Sequence, residues 1–246
     1  KLDQIDAVIF DLDGTLLDTE TLSSSCLLLT LREFGVHLAE VRWDLKKRII
    51  GLPGREWTTI VIDSITTSAI QDSNAFQSIS WQRLLERWEY YMSEYAEDVT
   101  MLPGVEALLS HCHKLKQANN LKPLRFAIAT SSRKSAAEKK LSRFGLMKDL
   151  MDVMVFGDDD EIVEGKPKPD IFLLTARRLG VRSERCLVFE DSLNGIKAGK
   201  AASMIVIAVP DPRIFVDDID CEEYRRRADF CYSSITDVIP SLPLLL

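Results

Sequence analysis

The stretch Ala7-Val8-Ile9-Phe10-Asp11-Leu12-Asp13-Gly14-Thr15 joins a short apolar run to two carboxylates and a glycine. The apolar run predicts a buried strand, and Asp and Gly are typical of the turn that ends a strand. Because two carboxylates this close repel each other, they need a cation or a shared proton. The stretch therefore indicates a site for a hard metal ion beside a carboxylate nucleophile. Taken alone, it also fits an ordinary solvated turn.

The composition is that of a globular chain. It has 246 residues, of which 46% are hydrophobic, and a formal net charge of -7. That size is enough for one large domain, or for a core domain with a smaller satellite. The chain has neither the long basic stretch that would predict nucleic-acid binding nor an apolar run of the ~18 residues typical of a membrane span. Its five scattered cysteines indicate reduced thiols, as in a cytoplasmic protein.

Short β-rich runs alternate with helical patterns from residue 102 onward. The predicted strands are Ala7–Phe10, Arg125–Ala129, Val153–Phe156, Cys186–Phe189 and Met204–Ala208. The predicted helices between them are Val105–Leu115, Lys134–Phe144, Ile171–Leu179 and Leu193–Ala201. This alternation predicts an α/β fold with a Rossmann-like parallel sheet core flanked by helices. Sites in such sheets lie beyond the carboxyl ends of the strands.

Residues 21–98 differ from the rest, because they contain no convincing strand pattern. Amphipathic spacing predicts four helices there, over Leu22–Phe34, Trp43–Ile50, Glu56–Ile65 and Trp81–Tyr95. We therefore predict an inserted all-helical cap domain at 21–98, within an α/β core formed by residues 1–20 and 99–246. Such a module can cover a site at the end of the first strand and exclude water. The alternative is that these helices only flank the sheet.

Three further strand ends carry polar residues. They are Thr130-Ser131-Ser132, Gly165-Lys166-Pro167 and Glu190-Asp191-Ser192. Hydroxyl and N–H groups at a helix start suit a phosphate oxygen, and a fixed lysine neutralises a phosphoryl group. Each segment alone has an ordinary explanation, as a helix cap, a solvated lysine or a charged helix start. Together with Asp11 and Asp13 they predict one site, since parallel strands place these ends at the same sheet edge.

These four segments resemble the four signature motifs of the haloacid dehalogenase superfamily. The resemblance runs from the first strand to about Pro210 and is closest to the phosphoglucomutase-like phosphatases with a helical cap. Gly157-Asp158-Asp159, Gly165–Leu173 and Cys186–Asp191 also resemble the pseudouridine-5′-phosphatase group, whose pattern related sugar-phosphate phosphatases largely share.

The resemblance implies a Mg²⁺-dependent phosphomonoester hydrolase acting on a small phosphorylated metabolite, such as pseudouridine 5′-phosphate or a sugar or polyol phosphate. It implies that Asp11 forms an aspartyl-phosphate and that Asp13 is the general acid and base. The implied metal ligands are Asp11, the backbone carbonyl of Asp13, and Asp191, with Glu190 near the ion. The implied phosphate-binding groups are Thr130, the N–H of Ser131, and Lys166.

The cap is expected to select the leaving group of the substrate. Arg55 follows a Gly-Pro-Gly loop and is a candidate substrate contact, although a surface arginine is an equal alternative. Ser132 and Arg133 follow the phosphate loop and are further candidates. The resemblance gives Asp18 and Thr19 a structural role at the passage into the cap.

Two other functions are open at this point. A sugar phosphomutase of the same fold typically has a cap histidine about a dozen residues after the first motif, where this chain has Ser23 and no histidine before His37. A non-catalytic binding protein on this scaffold is a more remote alternative, because all the chemical residues are present. The sequence predicts no oligomeric state.

Overall fold

The computed structural model describes residues 5–50, 52, 54–67, 79–118, 124–213 and 218–242. The chain divides into two compact units. The first comprises Lys1–Asp18 together with Thr100–Leu246, and the second comprises Thr19–Val99. Two residues of the Gly-Pro-Gly loop that precedes Arg55, Gly51 and Pro53, lie outside the described residues. No helix within the described ranges has the length and apolar character needed to cross a membrane.

The first unit contains a six-stranded sheet in which every neighbouring pair of strands is parallel. Its strands, in chain order, are β1 (Ala7–Phe10), β2 (Arg125–Thr130), β3 (Val153–Phe156), β4 (Cys186–Glu190), β5 (Ile205–Ala208) and β6 (Phe230–Cys231). They lie in the spatial order β3-β2-β1-β4-β5-β6. The predicted Rossmann-like parallel α/β fold is confirmed.

The second unit is helical in its described part. Its helices are α1 (Thr19–Glu33), α2 (Trp43–Ile49), α3 (Gly54–Thr67) and α4 (Trp81–Glu94). Helix α1 packs on α4, and α3 packs on both α2 and α4. A separate apolar core holds these helices together, with Leu31, Val36, Val61 and Leu84 among its most buried members.

The helices of the first unit lie between successive strands, except the last, which follows β6. They are α5 (Val105–Ala118), α6 (Lys134–Leu141), α7 (Gly145–Leu150), α8 (Asp170–Leu179), α9 (Leu193–Ala201), α10 (Asp218–Arg227) and α11 (Ile235–Val238). The single helix predicted over Lys134–Phe144 is wrong in extent, because the backbone of Phe144 leaves the helical region at φ −108° and ψ 68°. Phe144 lies at helical spacing from Leu141, so the apolar pattern continued through the break.

Strand β1 lies at the centre of the sheet, and all four of its residues are buried. Burial on both faces explains why its sequence is a continuous apolar run rather than an alternating one. Phe10 pairs with Ile128 of β2 and with Phe189 of β4. This register brings the segments after β1, β2 and β4 to one edge of the sheet.

Candidate active site

Asp11 and Gly14 shape the turn that follows β1. The N–H of Asp11 donates to the carbonyl of Phe189 at 3.0 Å, so Asp11 extends the pairing with β4. Gly14 has φ +85°, and a Cβ there would lie 2.3 Å from Oδ2 of Asp191. Only glycine fits this position without strain or collision. The hydroxyl of Thr15 donates to Oδ1 of Asp191 at 3.0 Å and holds that carboxylate against the turn.

Lys166 joins the two acidic strand ends. Its Nζ lies 2.5 Å from Oδ1 of Asp11 and 2.7 Å from Oε1 of Glu190, and it donates to the carbonyl of Ala129 at 3.2 Å. The Lys166 side chain is only 6% exposed. These charge-assisted contacts are buried from solvent, where they are strong and fix the ammonium in place.

Glu190 is fully buried, and its position is fixed by the start of α9. Its Oε2 accepts hydrogen bonds from the N–H and the hydroxyl of Ser192, both at 3.0 Å. A Cβ on Gly195 would lie 1.7 Å from Oε1 of Glu190, so α9 approaches this carboxylate through a glycine. Glu190 therefore orients Lys166 and has little freedom to turn toward another partner.

The electrostatics of this cluster favour an additional cation. Burial raises the pKa of Asp11 to about 7, with Lys166 opposing the rise and Glu190 and Asp13 adding to it. Burial, then Glu190 and Asp11, also raise the pKa of Asp191 well above its ordinary value. Burial alone would lower the pKa of Lys166, but Asp11 and Glu190 raise it above normal. A divalent cation would return the two aspartates toward their ionised forms.

The oxygen ligands in this cluster suit Mg²⁺, which does not need a complete cage of protein side chains. Within the described ranges, no three His, Cys, Asp or Glu side chains converge as a ready-made metal cage. Asp11 and Asp191 offer hard oxygen ligands, and the family resemblance implies the main-chain carbonyl of Asp13 as a third. Mg²⁺ usually takes one or two carboxylates and completes its shell with water and substrate phosphate. The residues present fit such an ion.

Asp13 faces the segment that follows β2. Its Oδ2 accepts from the hydroxyls of Thr130 at 3.1 Å and Ser132 at 2.7 Å. Its Oδ1 forms a short ion pair with Nζ of Lys140. Lys140 also donates to the hydroxyl of Ser132 at 2.9 Å. Thr130 and Ser132 were predicted in this region from the sequence, but Lys140 was not.

The loop after β2 is held close to the segment after β3. The N–H of Gly157 donates to the carbonyl of Ser132 at 2.9 Å. A Cβ on Gly157 would lie 2.1 Å from the carbonyl oxygen of Ser131, so this approach requires glycine. Ser131 and Arg133 are exposed on this loop. The structure thus brings Thr130, Ser131 and Ser132 to the same sheet edge as Asp11 and Asp13.

Asp18 ends the first segment of the core unit in an ion-pair network. The guanidinium of Arg213 contacts its two carboxylate oxygens at 2.7 and 3.0 Å. The same guanidinium contacts Asp211 at 2.6 to 3.0 Å. This network ties the segment after β5 to the residue that precedes α1. Neither Asp211 nor Arg213 was predicted from the sequence.

The candidate substrate residue of the cap, Arg55, lies in the first turn of α3. It is exposed, and its guanidinium lies 5.8 Å from the centre of the Trp81 ring. The same unit contains a cavity of about 160 Å³ that Arg55 does not line. Its polar wall includes Lys46, whose Nζ lies 2.6 Å from Glu20 and donates to Ser23 at 3.3 Å.

Neither Lys140 nor Lys46, which are both buried, was predicted as a site residue. Of the two, Lys140 has the stronger sequence signal. Lys140 lies on the same face of α6 as Ala137 and Leu141, which are buried. A lysine three residues after one buried apolar residue and next to another indicates a charge with a specific buried partner. Lys46 gives a weaker signal, because it belongs to the basic run Lys46-Lys47-Arg48.

Comparison with known proteins agrees with this geometry. A model of the family described as haloacid dehalogenase-like hydrolase matches residues 5–203. A Drosophila melanogaster protein named "Probable pseudouridine-5′-phosphatase" is 32% identical over 84% of this chain and 82% of its own length. The Arabidopsis thaliana (DL)-glycerol-3-phosphatase 2 is 34% identical over 95% of this chain and 88% of its own length.

Solved structures give the same result. The crystal structure of CbbY from Rhodobacter sphaeroides in complex with phosphate has a TM-score of 0.66 and 25% sequence identity to this chain. The structural match covers 95% of this chain and 96% of the CbbY chain. The resemblance inferred from the four motifs is therefore confirmed at the level of family and fold.

Proposed function

This chain belongs to the haloacid dehalogenase-like hydrolase family, and we propose that it hydrolyses small phosphorylated sugars or nucleotide-like metabolites. The proposed reaction passes through an aspartyl-phosphate on Asp11, with Mg²⁺ bound beside it. One observation carries this proposal. Asp11 is a buried carboxylate held 2.5 Å from the Lys166 ammonium, at the edge where three parallel strands end. A fixed carboxylate nucleophile divides a difficult hydrolysis into two easier transfers.

The first transfer uses both aspartates. An oxygen of Asp11 bonds to phosphorus while the bond from phosphorus to the leaving-group oxygen breaks. Asp13 donates a proton to that oxygen, so that a neutral alcohol departs. Thr130, the N–H of Ser131, and Lys166 hold the phosphoryl oxygens and balance their charge.

The second transfer returns the enzyme to its starting state. Asp13 takes a proton from a water molecule, whose oxygen bonds to phosphorus, and the bond between phosphorus and Asp11 breaks. Asp13 suits both steps because its side chain is 27% exposed, whereas that of Asp11 is 9% exposed. A leaving group and then a water molecule can therefore reach Asp13 in turn.

The metal-binding residues in this proposal are Asp11, Asp191 and the main-chain carbonyl of Asp13. Glu190 is assigned to orienting Lys166, because Ser192 and Lys166 already engage its carboxylate. When bound, Mg²⁺ neutralises charge on the phosphoryl group and orients it for in-line attack. The raised pKa of Asp11 and of Asp191 supports the presence of such a cation.

The proposed substrates are pseudouridine 5′-phosphate and glycerol 3-phosphate, the two chemistries named by the relatives above. Arg55, as part of a cap domain over residues 21–98, is proposed to contact the leaving group. Ser132 and Arg133, which follow the phosphate loop of the core unit, are proposed to contact it as well. The cytoplasmic location inferred from the scattered cysteines stays a prediction.

A sugar phosphomutase is the second candidate. The position at which such an enzyme typically has a cap histidine is occupied by Ser23, whose hydroxyl accepts from Lys46 and whose carbonyl accepts from the Trp88 indole. This serine favours hydrolysis, because it provides no imidazole to delay attack by water.

The test combines turnover with trapping. With Mg²⁺ present, we expect the full chain to release phosphate from one of the two proposed substrates. Brief mixing with a radiolabelled substrate, followed by acid, should leave hydroxylamine-labile phosphate on the protein. Asp11→Asn should abolish the label and lower turnover to below about a hundredth, with an unchanged circular dichroism spectrum. Label retained by Asp11→Asn would exclude Asp11 as the nucleophile, and isomerisation of a sugar 1-phosphate would favour the mutase.

A further inference from the structure

Lys140 is a buried lysine that contacts Asp13, the acid/base candidate, and Ser132. It lies in the last turn of α6, and its side chain is 8% exposed. Its ammonium forms a short ion pair with Oδ1 of Asp13 and donates to the hydroxyl of Ser132 at 2.9 Å. Ser132 in turn donates to Oδ2 of Asp13 at 2.7 Å. The three side chains therefore form a closed ring of contacts.

Packing alone does not explain this lysine. The two buried neighbours on its helix face, Ala137 and Leu141, are apolar, and an apolar side chain at position 140 would complete that face. Lys134 on the same helix is 64% exposed, which is the ordinary position of a helix lysine. Because burying an ammonium is unfavourable unless it is paired, its placement indicates a role tied to Asp13.

Asp13 needs such a constraint more than Asp11 does. Its side chain is the more exposed of the two, so packing alone confines it less. Lys140 fixes one carboxylate oxygen, and the hydroxyls of Thr130 and Ser132 fix the other. Contacts on both oxygens prevent rotation of the carboxylate about its own axis and movement toward solvent.

We propose that Lys140 is a positioning residue for the phosphatase reaction: with Ser132, it holds the Asp13 carboxylate against Thr130, at the point where the leaving-group oxygen departs. This inference rests on the proposed acid/base role of Asp13. In this proposal Lys140 does not contact the substrate, because Lys140 acts only through the orientation of Asp13.

The leaving group provides the test. Loss of a well-placed acid should matter most for an alkyl phosphate, whose alkoxide departs poorly, and little for p-nitrophenyl phosphate, whose phenolate is already a good leaving group. We expect Lys140→Met to lower kcat/KM for glycerol 3-phosphate, or for whichever alkyl phosphate the wild type prefers, roughly 100-fold, the typical effect of misplacing a catalytic group by about 1 Å. On p-nitrophenyl phosphate, kcat/KM should fall less than about threefold. Lys134→Met is the matched control and should change neither.

Two comparisons separate positioning from a structural role. Adding Lys140→Met to Asp13→Asn should cause no further selective loss, because coupled residues are not additive. Lys140→Arg keeps the charge and should recover part of the alkyl-phosphate activity. If Lys140→Met does not fold by circular dichroism, Lys140→Gln takes its place in the same measurements.

The outcomes distinguish this inference from the proposed function. If Asp13→Asn shows no leaving-group selectivity, the acid/base assignment fails, and the role of Lys140 fails with it. If Asp13→Asn is selective while the Lys140 variants lose activity equally on both substrates, or not at all, only the positioning role of Lys140 is overturned. Selective loss in both variants, without additivity, supports it.

Discussion

Gly195 offers a sharp test of the site, because one methyl group there collides with a buried carboxylate. A Cβ built at this position lies 1.7 Å from Oε1 and 1.8 Å from Cδ of Glu190, well inside any tolerable contact. Glu190 is fully buried and bonded to Ser192 and Lys166, so it cannot yield without breaking those contacts. We therefore expect Gly195→Ala to disrupt the active site from outside it.

The magnitude follows from the two consequences of that collision. Overpacking of a well-packed interior costs about 1–3 kcal/mol, and removing one partner from a buried ion pair costs about 3–5 kcal/mol. Lys166 keeps its 2.5 Å contact with Asp11, so the second loss is only partial. We expect the free energy of unfolding to fall by about 3 kcal/mol, and turnover to fall about 100-fold as Lys166 shifts.

Urea denaturation and phosphate release measure the two effects. Gly145→Ala is the matched control, because a Cβ at Gly145 meets no heavy atom within 4 Å and its backbone is not at positive φ. It should change stability by less than about 0.5 kcal/mol. Adding Glu190→Asp to Gly195→Ala shortens the colliding side chain and should recover part of the lost stability. Wild-type stability and turnover in Gly195→Ala would refute the fixed position of Glu190 next to α9.

Three further predictions concern the metal, the cap and acid stability. Chelation should abolish turnover and Mg²⁺ should restore it, whereas Ca²⁺ should not, because Ca²⁺ accepts looser geometry and more ligands; an unchanged rate in chelator would refute the metal assignment. Arg55→Ala should lower kcat/KM for the natural substrate by the equivalent of roughly 1.5–3 kcal/mol in the activation barrier, while kcat/KM for p-nitrophenyl phosphate stays nearly unchanged. Equal losses on both substrates would place Arg55 away from the leaving group. Arg178 lowers the pKa of Asp159, so their pairing stabilises the protein near neutral pH and this stabilisation is lost as the pH falls through that lowered pKa. Arg178→Met should therefore lower Tm at neutral pH, with the difference from wild type closing in acid; a constant difference would contradict this.

The strands of the sheet could be predicted because their burial is simple. Parallel strands that are covered on both faces need apolar residues at nearly every position, so β1 and β4 stand out as continuous apolar runs. Strand β6, Phe230–Cys231, has only two residues, and two residues carry no periodic signal. The break between α6 and α7 was hidden because Phe144 continues the apolar spacing of α6 past its end.

The candidate site could be predicted only where its residues end a strand or follow it directly. The positions of Asp11, Thr130 and Glu190 could be recognised in the sequence, because each residue lies where an apolar run ends. Lys140 does not, since it lies 127 residues from Asp13 and in the last turn of a helix. Its partner is decided by how α6 follows β2 in space, which local spacing does not specify. A charged residue on a buried helix face is a signal, but it does not name the partner.

The arrangement of the two lysines explains how adjacent aspartates can have different tasks. Asp11 lies on the β4 side, buried, with Lys166 shared between it and Glu190. Asp13 lies on the β2 side, partly open, among two hydroxyls and the ammonium of Lys140. Two carboxylates in one environment would compete for the same proton and the same cation. In the proposed mechanism, separate cationic partners from different parts of the chain would let the buried aspartate serve as nucleophile while the open one exchanges protons with the leaving group and water.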